Sequence, residues 1–393
     1  MSELRTIIEA EIREHGPIPF SRYMGLCLYH PEFGYYSGNA EQFGKAGDFY
    51  TSSDVHAVFG RLLARQFEEM WRVMGSPEMI TLKELGPGRG MFARDVLDWS
   101  EKKFPEFFRA VRYVLSEKSP ALREKVAVTL RRHLDEGKVL IEGLLSETPV
   151  AEAQSFSSLS GAAEVGPLPV ITFPVIVFAN EFFDALPVEI VSSEGSLRIG
   201  ARNGKFIEIW VPASSEQLEF LDRYSIHPED GERVEVPAPA MQQVVASMPM
   251  DQGFAIVIDY GYTREEQLAG RHRGTLKAIR RHSVGANPFE APGEQDITAD
   301  VNFTALASFM ERDGMRAQKL ITQSQFLMGI GEANQFADAF EDCRLPQERA
   351  KVALQLKHLV TPAGMGESFH VLVASKGVDA TKVSGLAGLG FGR

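Results

Sequence analysis

Glu84-Leu85-Gly86-Pro87-Gly88-Arg89-Gly90 reads E-x-G-x-G-x-G directly after a short apolar run with Ile80, Leu82 and Leu85. Glycines so placed let a chain turn sharply at a strand end and approach a ligand closely, because no Cβ intervenes. A dinucleotide fingerprint would need its third glycine at position 91, which is Met91. A second dense stretch, Asn180-Glu181-Phe182-Phe183-Asp184-Ala185-Leu186-Pro187, sets two carboxylates and an amide beside two aromatic rings. Such a group suits a nitrogen nucleophile. A guanidinium, with a pKa above about 12, is not deprotonated in advance. Paired carboxylates can instead grip its fork, aim one nitrogen and stabilise its charge. The plain alternative is an ordinary tight strand-to-helix turn for the first stretch, and for the second a capped turn with Phe182 and Phe183 in the core.

The glycine spacing is that of S-adenosylmethionine (SAM) methyltransferases. Their ligand has no pyrophosphate, so the turn cradles an amino acid and a ribose, and Glu84 faces the cationic methionyl end. Methyl transfer from a sulfonium asks for an acceptor held in line, about 3 to 3.5 Å away, with water excluded. In open α/β sheets ligands sit beyond the carboxyl ends of the strands. Four proposed strand ends here are polar: Glu84, Glu117, Asn180-Glu181 and Asp259. Glu117 is placed to accept both ribose hydroxyls. Its offset of 31 residues from Gly86 exceeds the usual spacing because the 104–109 segment precedes its strand.

These residues need elements to hold them. Apolar runs at 80–85, 111–115, 139–145, 174–178 and 254–258 alternate with helical patterns, which predicts a parallel, doubly wound α/β sheet. Leu4, Ile7, Ile8 and Ile12 form one face of an N-terminal helix, and Val55 to Trp71 form a longer amphipathic one. Residues 188–211 alternate around Glu194-Gly195 and Asn203-Gly204, the pattern of a β-meander. Segments 316–321 and 368–374 are expected as closing strands, and Arg280-Arg281-His282 as a solvated helix face. Gly47-Asp48-Phe49-Tyr50-Thr51 is expected to fold over the cofactor, and Gln323-Ser324-Gln325-Phe326-Leu327 to line the acceptor mouth.

Composition narrows the function. Apolar residues at 44% and charged ones at 24% describe a soluble globular chain. No apolar run approaches the roughly 20 residues of a membrane span. A net charge of −12 argues against a nucleic-acid surface. Cys27, Cys343 and the scattered histidines give neither a disulfide framework nor a metal site. The acidic start of the chain has neither an apolar signal core nor an Arg-rich, acid-poor leader, and a cytoplasmic location is expected.

The chain resembles the MidA-like SAM-dependent methyltransferases, whose mitochondrial members assist respiratory complex I assembly. The likeness lies in GPIPFSRYMGLCLYHPEFGYYS, GDFYTSSDVHAVFG, ELGPGRG, SEKSPALR, ANEFFDALPVE, IDYGY, GTLKAIRRH and PGEQDITADVNFTAL, in that order. It implies a class I, Rossmann-like methyltransferase fold with a seven-stranded sheet. The parts expected are a helical cover over 1–75, a core over 76–187 and 252–375, an inserted β-rich lid over 188–251, and a flexible tail over 376–393. Glu84, Gly86, Gly88, Gly90, Glu117 and Asp48 are the expected SAM contacts, and Glu181, Asp184 and Asn180 the expected catalytic group. In the mitochondrial branch the likeness further implies symmetric dimethylation of a protein arginine, with a complex I subunit as the candidate partner. Ser53, Ser116 and Asp300 depart from the family pattern, which has Pro, Val and usually His there. A small-molecule methyltransferase and a SAM-binding assembly chaperone without catalysis remain open beside the arginine reading.

Overall fold

The computed structural model describes residues 3–37, 57–143, 174–248, 250–280, 283–285, 287–332 and 334–391. Its central sheet is built from β1 (Ile80–Leu85), β2 (Val111–Ser116), β3 (Val139–Glu142), β4 (Val175–Asn180), β5 (Gly253–Tyr262) and β6 (Phe369–Lys376). The order is β3-β2-β1-β4-β5-β6, with the first five parallel and β6 antiparallel to β5. Strand order therefore reverses between β1 and β4, which opens a crevice at their carboxyl ends.

The expected parallel sheet of seven strands is corrected to a mixed sheet of nine strands among the described residues. The predicted strand over 316–321 is split into Arg316–Ala317 and Ile321–Thr322, both antiparallel to β6. Val301–Asn302 adds a further short pairing at the end of β5.

Period-two alternation sends successive side chains of each strand to opposite faces. On one face Ile80, Leu82, Ile176, Phe178, Ile256 and Val371 pack under helices that include α1 (Ala57–Val73) and α2 (Met91–Lys103). Phe178 stacks on Phe92 at 4.5 Å and meets Phe67 edge-on at 5.6 Å. Such ring pairs add about 0.5 to 1.5 kcal/mol each beyond the area they bury. On the other face Val175, Val177, Ala179, Ala255 and Val257 meet α3 (Ser215–Tyr224), α4 (Ala238–Ala246) and α5 (Phe303–Arg312).

Residues 189–211 form the expected meander. Asn203 (φ 52°) and Gly204 (φ 69°) make a turn of left-handed residues that suits the twist of a two-stranded hairpin. The meander is not separate from the N-terminus. Ile18–Pro19 joins its sheet through Ile18↔Ile199, and Leu4, Ile8, Phe20 and Tyr23 share a core with Val188, Leu197 and Ile199. Arg280 ends a strand, Lys277–Arg280, and not a helix. The expected flexible tail is also corrected: Ala380–Ser384 is helical, Val383 and Leu386 are buried, and the Gly388 amide donates to Gln66 Oε1 at 2.8 Å.

Candidate active site

A cavity of about 1030 Å³ opens beyond the carboxyl ends of β1, β2, β4 and β5. Gly86 and Gly88, but not Gly90, line it. All three glycines have positive φ (63°, 54° and 74°), for three different reasons. A methyl group built on Gly86 would lie 2.7 Å from Phe182 Cδ2, so the first glycine lets the second motif close against the first. A methyl on Gly90 would press on Leu130 and Val126 at 3.3 and 3.4 Å, where the start of α2 meets the Pro120–Thr129 helix. A methyl on Gly88 would meet no heavy atom of the described residues within 4 Å apart from its chain neighbours. That position faces open cavity.

Glu84 and Glu117 stand beside this turn, 5% and 7% exposed. Tyr113, in β2, donates its hydroxyl to Glu84 Oε2 at 2.8 Å. Burial pushes the Glu84 carboxyl up to about 8 against that hydrogen bond, with Glu117 adding to the rise. Glu117 Oε1 accepts the Ser119 amide at 2.8 Å, and Ser119 in turn caps the Pro120–Thr129 helix. Burial raises Glu117 to about 7, opposed by backbone amides and Arg123. Two desolvated carboxyls under a glycine turn are poised for a partner that brings donors or positive charge.

The second group is held by a device that sequence reasoning did not find. Asp259 is fully buried, and its Oδ2 accepts the amides of Phe182, Phe183 and Asp184 at 3.1, 2.9 and 3.3 Å. Glu181, at φ 49°, enters the left-handed region at the start of this turn. Successive amides therefore converge on one carboxylate, a nest. Asp259, read from the sequence as one of four polar strand ends, shapes the turn from behind. Asn180, Glu181, Phe182 and Asp184 line the cavity. Asn180 Nδ2 donates to Glu181 Oε1 at 3.1 Å, while its buried Oδ1 has no hydrogen-bond partner among the described residues.

The same wall carries Tyr260, Lys277, Asp296 and Asp300. Lys277 Nζ lies 2.7 Å from Asp300 Oδ1 and over the Tyr260 ring. Burial, then Asp300, raises the Asp184 carboxyl to about 7, with Lys277 opposing. Tyr29 and Tyr36 stack at 5.5 Å, and their hydroxyls donate to Ala185 O and Asp296 Oδ1. Burial, then the charges of Asp296, Asp184 and Glu117, hold the Tyr29 hydroxyl well above its usual range. Tyr residues within aliphatic or loop stretches were the available signal for this wall. Asp48 falls outside the described residues. Gln323 is not at the cavity: it is buried and donates to Leu359 O at 2.9 Å.

A doubly wound sheet with a glycine turn and a strand-end acid in its crevice defines a nucleoside-binding α/β enzyme. The chain belongs to the family described as "Putative S-adenosyl-L-methionine-dependent methyltransferase", which it matches over residues 62–321. It is an S-adenosylmethionine-dependent methyltransferase. Among curated relatives, "Protein arginine methyltransferase NDUFAF7 homolog, mitochondrial" of Drosophila melanogaster is 30% identical, covering 98% of this chain and 87% of its own. The human protein named "Protein arginine methyltransferase NDUFAF7, mitochondrial" is 28% identical over 92% of this chain and 80% of its own. A Burkholderia thailandensis crystal structure bound to S-adenosyl-homocysteine superposes with a TM-score of 0.79 at 27% identity, covering 98% of this chain and 94% of that one. The expected cytoplasmic location is corrected by these relatives, which are named mitochondrial. No described helix is long and apolar enough to cross a membrane.

Proposed function

We propose that this enzyme methylates arginine side chains of a protein to symmetric dimethylarginine, with a subunit of respiratory complex I as the substrate. The observation that carries the reading is the acid group on one cavity wall, Glu181, Asp184 and Asp300, set among Phe182 and Tyr260. Carboxylates beside aromatic faces suit a planar cation. The names of the curated relatives support the same acceptor. The cavity lies at the upper end of the size range of ligand sites, which leaves room for a cofactor and an inserted side chain.

In this proposal the turn at Gly86 and Gly88 receives the methionyl part of S-adenosylmethionine, with Glu84 toward its ammonium group and Glu117 at the ribose hydroxyls. Bound there, the cofactor supplies a methyl group whose leaving group is a neutral thioether. Glu181 and Asp184 grip the guanidinium, and Asn180 Oδ1 offers an acceptor for one of its N–H groups. Tyr29 and Tyr36 from the N-terminal part and Ala240, Gln243 and Val244 from the inserted segment wall the site and keep water from it. Mass spectrometry of arginine-containing peptides from cells with and without the gene tests the reading. Loss of a symmetric dimethylarginine on deletion is expected, and an unchanged arginine methylome would sink it.

Three outcomes follow for the purified protein. Gly88→Val, folded by circular dichroism, should lose cofactor binding, because the side chain enters open cavity and φ is positive; unchanged calorimetric affinity removes the turn from the site. Glu117→Ala should weaken binding by about 1 to 3 kcal/mol through lost charge-assisted hydrogen bonds. An unaltered affinity means another group holds the ribose. The clamp works only when Asp184 is ionised, so transfer should rise as pH passes upward through about 7. The sign for stability is opposite. A carboxyl raised on folding holds a proton the unfolded chain has released, so Asp184 costs stability as pH climbs from the ordinary carboxylate range to about 7. Asp184→Asn should remove the acid limb of the rate profile; a limb that stays assigns it to another residue.

A further inference from the structure

Methylating a guanidinium leaves a proton to be disposed of. Guanidinium and sulfonium, two cations, become one methylated guanidinium, a neutral thioether and a proton. The N–C bond forms, the C–S bond breaks with its electron pair left on sulfur, and one N–H proton departs. That proton is released in a pocket walled by buried carboxyls.

Asp300 spans the wall at this point. Its Oδ1 meets Lys277 Nζ on the cavity side, and its Oδ2 lies 3.1 Å from His272 Nδ1. The carboxylate side chain is 13% exposed and the imidazole 29%, so the pair leads from the cavity wall toward solvent. His272 does not line the cavity. It is held at φ 53°, a left-handed conformation that is strained for a non-glycine residue. Its ring stacks on Tyr262 at 5.2 Å with an interplanar angle of 18°. Strain in the backbone and a stacking partner together fix this ring against Asp300. Asp184 feels the charge of Asp300 directly, and both line the cavity.

We propose that Asp300 and His272 form the exit path for the proton released by methyl transfer. A carboxylate of the Asp184–Asp300 group takes the N–H proton, Asp300 passes it to His272 Nδ1, and the cationic ring gives a proton to water. Imidazole suits the last step because it has two ring nitrogens, one to take a proton and the other to release one. Lys277 holds Asp300 in place without taking part. The other charged neighbours are His370, whose field includes His272, and Glu266 and Glu367, which act on His370. His272 touches no substrate and acts through Asp300. The inference rests on the arginine reading above.

Single-turnover transfer of labelled methyl to extract proteins is the test, with His272→Gln and His272→Gly; glycine suits the positive φ, so the second variant keeps the fold. Both should bind S-adenosylmethionine as the native protein does and transfer about tenfold more slowly at neutral pH. Added imidazole should restore His272→Gly in proportion to its concentration. Native rates in both variants, or a loss that imidazole leaves untouched, would overturn the path. A second readout needs no turnover: in the free protein, Asp300→Asn should change the NMR signals of the His272 ring nitrogens, which report the contact at Nδ1. Ring signals that stay as in the native protein also overturn it. If the native enzyme labels no arginine, the functional reading fails instead, and the ring signals still judge the Asp300–His272 contact.

Discussion

Glu181→Gln should keep the affinity for S-adenosylmethionine and lower methyl transfer by about 100-fold, the scale of one well-placed charged contact, roughly 2.7 kcal/mol. The substitution keeps the shape of the side chain and its hydrogen bond from Asn180 Nδ2, and removes only the charge. The backbone beneath it is fixed at φ 49° by the amides that follow, so the new amide occupies the same place on the cavity wall. Labelled-methyl transfer and calorimetric cofactor affinity, measured on one preparation, decide the matter. Full transfer would rule out a guanidinium clamp at Glu181 and favour a small-molecule acceptor. Affinity lost in step with activity would make Glu181 a cofactor contact.

The second large effect is expected away from the cavity surface. Asp259→Ala strips the acceptor from the Phe182, Phe183 and Asp184 amides and from the Tyr260 amide at 2.9 Å. A buried donor left without a partner costs about 1 to 3 kcal/mol, so a loss of roughly 3 kcal/mol or more in urea unfolding is expected. Transfer should fall with it, since Glu181 and Asp184 ride on this turn. Asp259→Asn keeps one acceptor oxygen for the three converging amides and should retain most of the stability. An Asp259→Ala protein as stable as the native one would show that the turn holds itself.

Local chemistry in this chain is readable one residue at a time, and that much the sequence determined. Continuous apolar runs announced buried strands, because a strand covered on both faces needs no polar alternation. Asn203-Gly204 announced a hairpin, because those residue types tolerate the left-handed region. The E-x-G-x-G-x-G turn and the Asn180–Pro187 group named two stretches that the fold brings to one cavity.

Tertiary structure decided which of several similar acids faces that cavity. Glu84, Glu117 and Asp259 all stand at or near strand ends, yet Asp259 turns to amides 75 to 77 residues away. Gly86 is needed as glycine because Phe182 closes on it, a contact across nearly 100 positions that no local pattern encodes. Lys277 meets Asp300 only because two strands of a small sheet run antiparallel, pairing Lys277 with Thr298. The edge strand split for a related reason: marginal two-residue segments are assigned by their pairing with β6, not by their own propensity. Propensity and motif act over a few residues, where the chain's own geometry limits the choices. The direction of a buried carboxylate is set by which donors the finished fold brings to it, since desolvation makes an unpaired one too costly to keep.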